Sequence, residues 1–377
     1  MKQVLLVTWV LGVTLTSPAA GLKPADLRCD YAPNPLGVDS PNPRLFWKVE
    51  SPERGQKQTA FQILVASSPA ELKKNRGDLW DSGKVASAET IQIPYAGRPL
   101  QSWQQVFWKV RVWDREGKAS AWSKPATWTM GVLRPNDWQA RWITSPTTNF
   151  ETLLLRREFI VKPGLRRALV NVCGLGQYEL TLNGKKAGLP GRSFGAKAGN
   201  DFLPPGWTKY NKTCLYDTRD ITSSLRQGKN AAGLFLGNGM YHAAQPDTNR
   251  FTKFKGSFGP LQAIAQIRLE YADGSVETIG TGGEWRAAPG PITFCSIYGG
   301  EDFDARLVQS GWDKPDFGAS SWAPAAVVNG PGGELKGLSC AAPPVLEFEI
   351  HRPVAMQTLT NGDAVFDLGQ NAATWLT

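Results

Sequence analysis

The stretch YGGEDFDARL, residues 298–307, places three acidic side chains beside a pair of glycines: Glu301, Asp302 and Asp304. Two carboxylates that face each other across a substrate can hydrolyse a glycosidic bond by acid/base chemistry. Successive side chains of a β-strand point to opposite faces, however, so Glu301 and Asp302 do not make such a pair. The pattern favours a solvated strand edge over a contact to sugar hydroxyls or to a calcium ion, and it disfavours catalysis.

A second candidate site is the stretch AKAGNDFLPPGWTKY, residues 196–210. Asn200 and Asp201 supply the carbonyl and carboxylate oxygens that Ca²⁺ prefers as ligands. Trp207 and Tyr210 supply rings suited to the apolar face of a sugar. The alternative is that the two prolines and Trp207 only pack this loop. The EF-hand pattern is absent, so the prediction of a calcium site depends on Asn200 and Asp201 alone.

The stretch LFLGNGMYH, residues 234–242, ends an apolar run in a glycine–asparagine–glycine bend. Glycine allows a backbone turn where a side chain would clash. We therefore expect Asn238 and Tyr241 at the rim of a β-sandwich, near the loop that carries Trp207. A concave rim of this kind would either hold a sugar or dock against another domain.

Other common kinds of site find little support in the sequence. The five cysteines are far apart and form no C-x-x-C pair, and the chain has only two histidines, so a zinc site is not expected. Cys173, within ALVNVCGLG, reads as a small buried hydrophobe. A nucleophile elbow, a P-loop and a dinucleotide fingerprint are all missing.

Composition points to a globular protein of two or three domains. The chain has 377 residues, with 15 Trp and 39 Gly, which suggests many short strands, tight turns and aromatic surfaces. Its formal net charge is +9, but lysines and arginines are scattered among acidic residues. A nucleic-acid partner is therefore not expected, since such proteins concentrate basic residues in a patch.

The N-terminus reads as a secretory signal peptide over residues 1–20. Lys2 is followed by an apolar run and then by small residues around Pro18 that suit cleavage. The run is short for a membrane span, and no later segment is longer. The sequence thus predicts a secreted or periplasmic protein with no membrane attachment once the signal is removed.

The first folded unit is expected over residues 22–134 as a small β-sandwich. FQILVAS alternates like a half-buried strand, and SPAEL offers Ser68 as the cap of a short helix that Gly77 ends. In FWKVRVWDREGKASAWS, Trp108, Val110 and Val112 fall on one face of a hairpin strand, and Lys109 and Arg111 fall on the other.

A larger β-sandwich is expected over residues 137–340. Two hairpins turn at Asn183-Gly184 and at Asp273-Gly274, and AGLFLGNG reads as a further strand. DITSSLRQGKN allows one helical turn at most. Residues 343–377 begin strand-like again and read as the incomplete start of a third domain, because so few strands make no stable sheet.

These segments together resemble one family. NPRLFWKVES, LWDSGKV and FWKVRVWDREGKASAWS are similar to the leading domain of bacterial α-L-rhamnosidases of glycoside hydrolase family 78. GLGQYELTLNGKKAG, YGGEDFDARL and GWDKPDFGASSWAPA resemble the N-terminal β-sandwich of those enzymes, in the same order along the chain. RPVAMQTLTNGDAVFDLGQNAATWLT is similar to the start of the domain that follows.

The resemblance implies a fibronectin-III-like sandwich, then a larger jelly-roll-type β-sandwich, then the truncated start of a concanavalin-like domain. Family members hydrolyse terminal α-L-rhamnosides with inversion, and their catalytic acids lie in a later (α/α)₆ barrel. No catalytic residue is therefore transferred to this chain. In some relatives the second sandwich binds rhamnose with a calcium ion, which suggests a role for Asn200 and Asp201.

Two main hypotheses follow for the function. In the first, the chain is the non-catalytic front of a secreted α-L-rhamnosidase, and its partners are a rhamnose-containing glycoside or polysaccharide and the catalytic barrel. In the second, it is a free-standing sugar-binding or adhesion module. Asn200, Asp201, Trp207, Asn238, Tyr241 and Glu301 are the candidate sugar-binding residues under both. A third option is a truncated fragment without function.

Overall fold

The computed structural model describes residues 21–147, 152–187, 207–243, 250, 253, 256–338 and 351–371. Within these residues the secondary structure is almost entirely β, with one short α-helix and a few 3-10 turns. The prediction of an all-β protein is confirmed. No helix in the described part of the chain is long and apolar enough to cross a membrane. The predicted signal peptide lies outside the described residues.

Backbone contacts divide the chain into two compact units. The first contains the residues up to Pro33 together with Asn42–Pro99 and Gln105–Trp128. The second contains Asn34–Pro41, Leu100–Gln104 and the residues from Thr129 onward.

The first unit is built from two antiparallel sheets. Its strands are β1 (Lys23–Cys29), β2 (Arg44–Glu50), β3 (Ala60–Ala66), β4 (Trp80–Asp81), β5 (Ile93–Pro94), β6 (Gln105–Trp113) and β7 (Ala126–Thr129). One sheet has the order β1-β2-β5, and the other has the order β4-β3-β6-β7. Immunoglobulin and fibronectin-III domains share this kind of small sandwich.

Tryptophans form much of the core of the first unit. Trp47, Trp108 and Trp128 are completely buried. Trp108 and Trp128 meet edge-on with ring centroids 6.5 Å apart, and Trp47 meets Phe61 in the same way at 5.2 Å. Such edge-to-face pairs add to the stabilisation that burial alone gives. Part of the high tryptophan content is thus used in packing.

Strand β6 follows the predicted alternation, with one difference. Trp108, Val110 and Val112 are completely buried, as expected. Lys109, expected on the opposite and more polar face, is also buried at 7% exposure. Its Nζ donates to the carbonyl oxygen of Leu72 at 2.7 Å, which provides the partner that a buried charge needs.

The helix α1 (Pro69–Lys73) begins as predicted and ends earlier than predicted. The Ser68 hydroxyl accepts a hydrogen bond from the backbone N–H of Glu71 at 3.3 Å, which caps the first turn. The expectation that Gly77 ends the helix is wrong. Asn75 takes the left-handed conformation instead, with φ +57°, a role that asparagine fills more readily than most residues.

In the described part of the second unit there are two larger sheets and three hairpin-like pairs. Its strands are β8 (Trp142–Thr144), β9 (Thr152–Val161), β10 (Leu165–Gly174), β11 (Gln177–Leu182), β12 (Lys185–Lys186), β13 (Thr213–Asp220), β14 (Gly228–Gly237), β15 (His242–Ala243), β16 (Gly256–Ser257), β17 (Gln262–Tyr271), β18 (Val276–Gly280), β19 (Arg286–Pro289), β20 (Ile292–Ser296), β21 (Gly300–Phe303), β22 (Ala323–Pro324), β23 (Ala326–Val328), β24 (Glu334–Gly337), β25 (Ala355–Thr358) and β26 (Ala364–Asp367).

The seven-stranded sheet has the order β23-β8-β17-β10-β13-β24, and β18 also pairs with β17. The six-stranded sheet has the order β12-β11-β14-β9-β19-β22. The pairs are β15-β16, β20-β21 and β25-β26. Among these described strands, all pairings are antiparallel except that between β13 and β24.

The main core of the second unit is shared by strands of the two large sheets. On β10, Val170 and Val172 face this core, while the alternate residues Leu169 and Cys173 face a second cluster that contains Trp103. Cys173 is 1% exposed, as its apolar surroundings predicted. Strand β10 is therefore buried on both faces, which explains its nearly continuous apolar sequence.

The turns of the second unit match the predictions from sequence. Asn183 and Gly184 connect β11 to β12, both with positive φ (+55° and +80°). Gly274, with φ +85°, connects β17 to β18. DITSSLRQGKN contains a single 3-10 turn, Thr222–Ser224.

Candidate functional site

The bend at Gly237–Gly239 lies where three strands of the six-stranded sheet come together. Strand β14 runs between β11 and β9, and Gly237 pairs with Gln177 on one side and with Thr152 on the other. The chain then turns sharply, and the N–H of His242 donates to the carbonyl oxygen of Asn238 at 3.1 Å. The predicted bend at the end of β14 is therefore present.

The close approach of a second glycine turn explains why the bend needs glycine. Gly176 has φ +102°, and a Cβ there would lie 2.1 Å from the carbonyl oxygen of Gly237. Gly239 has φ +49°, and its Cβ would lie 2.8 Å from the carbonyl carbon of Gly176. Real Cβ atoms do not come so close, so the two turns fit together only as glycines.

Asn238 points into the protein. Its side chain is completely buried, and its Nδ2 donates to the carbonyl oxygen of Cys295 at 3.1 Å. Its backbone N–H lies 3.3 Å from the Cys295 Sγ. Asn238, which was expected at the rim of the sandwich, thus lies buried and fastens the bend to the β20-β21 hairpin.

Tyr241 is also completely buried, within a cluster of aromatic rings. Its hydroxyl accepts a hydrogen bond from Gln262 Nε2 at 2.6 Å. The Tyr210 ring meets it edge-on at 5.0 Å, and the Phe258 ring stacks against it at 6.2 Å. Tyr210 is 5% exposed and Phe258 57%, so Phe258 is the solvent-facing ring of this trio. Phe258 was not predicted from the sequence, although it lies in SFGP, where glycine and proline indicate a turn.

Trp207 and Glu301 are the two described candidate residues with exposed side chains. Trp207 is 59% exposed. Glu301 lies on β21 opposite Cys295, the residue that Asn238 holds. The structure thus connects Glu301 with the bend through the β20-β21 hairpin. Asn200 and Asp201 lie outside the described residues.

The carboxylates beside Glu301 have arginine partners. Asp302 accepts a hydrogen bond from Arg250 at 2.7 Å. Asp304 caps the 3-10 turn Ala305–Leu307, and its hydrogen bonds with Arg306 lower the pKa of its carboxyl group. These contacts agree with the solvated strand edge favoured from sequence. Among the described residues, no group of three or more His, Cys, Asp or Glu side chains is placed to hold a metal ion.

Comparison with known protein families gives two matches that follow each other along the chain. Residues 24–134 match a model described as the Rha78A-like N-terminal immunoglobulin domain. Residues 164–347 match the α-L-rhamnosidase N-terminal domain. These two segments therefore match the N-terminal domains of α-L-rhamnosidases. The resemblance seen in the sequence is therefore confirmed, and the first domain is a sandwich of the immunoglobulin type.

Individual α-L-rhamnosidases match nearly the whole chain. An α-L-rhamnosidase of Formosa agariphila is 30% identical over 373 residues, which cover 91% of this chain and 37% of that protein. The structure of an α-L-rhamnosidase from Dictyoglumus thermophilum has a TM-score of 0.81 and 35% identity, covering 94% of this chain and 39% of that one. The chain thus spans less than two-fifths of the length of these rhamnosidases.

A third α-L-rhamnosidase, that of Streptomyces avermitilis, was solved in complex with L-rhamnose. It has a TM-score of 0.72 and 24% identity, and it covers 93% of this chain and 49% of that one. At this identity the likeness shows a shared fold.

Proposed function

We propose that this chain is the non-catalytic N-terminal portion of a secreted or periplasmic α-L-rhamnosidase, an enzyme that hydrolyses terminal α-L-rhamnosides with inversion. The main support for the proposal is that this chain matches the N-terminal domains of α-L-rhamnosidases. The chain aligns over 91% of its length with 37% of a curated α-L-rhamnosidase, and both family models describe N-terminal domains. Glu301 and Asp302, the acidic residues considered from the sequence, point to opposite faces of β21 and so do not form a catalytic carboxylate pair.

Within this role, the second unit binds rhamnose weakly and with calcium. Supporting features are the exposed indole of Trp207 and the exposed carboxylate of Glu301, which stands on a hairpin fastened to the bend. Asn200 and Asp201 are the proposed calcium ligands, because carboxylate and amide oxygens suit this ion. The remainder of the enzyme and a rhamnose-containing glycoside or polysaccharide are the proposed partners.

Titration calorimetry with L-rhamnose tests the binding role. We expect a heat of binding in the presence of Ca²⁺ that disappears with EDTA, and a reduced affinity in Trp207→Ala. Tyr31→Ala is a matched control, because Tyr31 is also an exposed aromatic residue (39%) but belongs to the first unit. Absence of heat with and without EDTA would count against binding and leave a supporting role for the chain.

A further inference from the structure

The two faces of the β20-β21 hairpin carry different kinds of side chain. Glu301 and Phe303 alternate with Asp302 along β21, so they lie on one face and Asp302 lies on the other. Asp302 and Phe294 are cross-strand partners, and Arg250 contacts both of them. Its guanidinium donates to the Asp302 carboxylate at 2.7 Å, and its Cζ lies 4.7 Å from the centroid of the Phe294 ring. The Asp302 face is therefore already occupied by an ion pair.

The face that carries Glu301 and Phe303 is open to solvent. The Phe303 ring is 58% exposed, so packing in the core does not account for it. Glu301 is also exposed, and its carboxylate forms no hydrogen bond or ion pair with any described residue. Since a strand rises about 3.3 Å per residue, the two side chains start about 7 Å apart. A single pyranose ring can contact both side chains over that distance.

A glycine at the end of β14 leaves space beside this face. A Cβ added at Gly237 would meet nothing closer than Cys295 Sγ at 3.8 Å and Thr152 Cγ2 at 4.0 Å. Cys295 is the cross-strand partner of Glu301, so the two side chains lie on the same face of the hairpin. Gly237 does not adopt a positive φ, so neither its conformation nor crowding requires glycine there. A strand glycine of this kind marks a place where a ligand can come close to the backbone.

We propose that Glu301, Phe303 and the space at Gly237 form a pyranose-binding site. Phe303 stacks against the apolar C–H face of the sugar, and Glu301 accepts hydrogen bonds from its hydroxyl groups. An apolar surface with a few placed polar groups is the usual composition of a small-ligand site. A carboxylate beside the ring fits a sugar better than a protein partner, because Glu and Asp are depleted at the core of protein interfaces. This inference rests on the proposed binding of rhamnose by the second unit, and it adds Phe303 and Gly237 to that function.

The main test measures the affinity of three single variants for L-rhamnose by titration calorimetry in the presence of Ca²⁺. Phe303→Ala removes the ring, Glu301→Gln removes the charge of the acceptor, and Gly237→Ala places a methyl group in the space. We expect each variant to bind about fivefold more weakly or worse, since ring stacking and hydrogen bonds to a charged group make contributions of this order. Unchanged affinity in any of the three would overturn the proposal.

Three matched controls belong to the same unit. Phe366→Ala removes a ring of nearly equal exposure, 56%. Asp302→Asn changes the neighbouring carboxylate, which lies on the opposite face of β21. Gly283→Ala adds a methyl group at a glycine that also lacks a positive φ and would meet nothing within 4 Å. We expect all three controls to bind rhamnose like the wild type, and an equal loss in a variant and its control would contradict a site on this face.

Melting temperatures distinguish a binding role from a structural one. Phe303 and Glu301 are exposed, so their replacement should leave the Tm unchanged. Gly237→Ala should leave it unchanged or raise it, because alanine fits there and restricts the unfolded chain. Loss of rhamnose affinity only in variants whose Tm also falls would indicate a structural effect and count against the site.

Fluorine NMR separates failure of this inference from failure of the proposed function. A fluorophenylalanine replaces Phe303, and its signal is followed as L-rhamnose, L-fucose, D-glucose or D-galacturonate is added with Ca²⁺. We expect a shift with L-rhamnose, which supports both proposals. A shift with another sugar alone supports the site and refutes rhamnose as its ligand. Heat of rhamnose binding without a shift refutes the site and leaves rhamnose binding elsewhere in the unit, whereas no heat and no shift with any sugar refutes both proposals.

Discussion

Replacing Gly176 by alanine should destabilise the second unit more than the same change at a comparable glycine elsewhere in it. Gly176 has φ +102°, a conformation that disfavours any side chain. Its Cβ would also meet the carbonyl oxygens of Gly237 and Asn238 at 2.1 and 2.8 Å. Both acceptors are backbone atoms, so relief requires movement of the bend itself.

The expected loss in the free energy of unfolding has two contributions, one from backbone conformation and one from steric contact. The left-handed backbone costs alanine about 1–2 kcal/mol. Forcing an extra carbon against packed backbone adds about 1–3 kcal/mol. Gly274→Ala isolates the first term, because Gly274 has φ +85° and a Cβ there would meet nothing within 4 Å. Gly176→Ala should therefore cost about 1–3 kcal/mol more than Gly274→Ala.

Scanning calorimetry is the appropriate assay, because both glycines belong to the second unit and affect the same transition. For a domain of this size a loss of 1 kcal/mol lowers the Tm by roughly 2–4 °C. The extra decrease in Gly176→Ala should then be about 2–12 °C. If Gly176→Ala melts at or above the Tm of Gly274→Ala, the close packing of the two glycine turns is refuted.

Three further predictions test other parts of the structure. Tyr241→Phe should cost about 1–3 kcal/mol by calorimetry, because it leaves the buried Gln262 Nε2 without the oxygen it now donates to; an unchanged Tm would contradict this. Burial alone would raise the pKa of Glu270, but hydrogen bonds and charges from Arg167 and Arg268 hold it below its usual value. The ionised carboxylate therefore stabilises the fold at pH values above its unfolded-state pKa, near 4.5. This stabilisation is lost as the pH falls through the lower folded-state pKa. Glu270→Gln should flatten the decrease in Tm below pH 4.5, and an equally steep decrease would exclude this contribution. Finally, the chain should release no rhamnose from an aryl rhamnoside; turnover by the purified chain would overturn the non-catalytic assignment.

Local patterns predicted the strands and turns well because they depend on neighbouring residues. The Asn183-Gly184 turn needs two positive φ values, and the sequence supplies the residues that adopt them at least cost. The alternation on β6 correctly predicted which face enters the core. The burial of Lys109 escaped prediction because its partner, the Leu72 carbonyl group, comes from a helix 37 residues earlier.

The candidate site was less predictable because, like the burial of Lys109, it depends on residues that are distant in sequence. The sequence shows that Gly237–Gly239 must bend, but not that Gly176 fills the space around the bend. It predicts Tyr241 near a rim, but not that its ring is completely buried and stacks against Phe258. The Asp217–Arg219 pair also looks like ordinary surface charge in YDTRD until the fold buries it. Each of these outcomes depends on contacts between segments far apart in sequence.

The inward orientation of Asn238 changes what a mutation there would mean for sugar binding. A residue that touches the sugar from an exposed position, as proposed for Trp207, should lose affinity on substitution while the Tm stays constant. Asn238 acts instead on the β20-β21 hairpin, through its bond to the Cys295 carbonyl group. Its replacement by alanine should therefore lower the Tm, and any loss of rhamnose affinity should accompany that change. Measuring both quantities in both variants distinguishes a residue that binds the sugar from one that holds the β20-β21 hairpin in place.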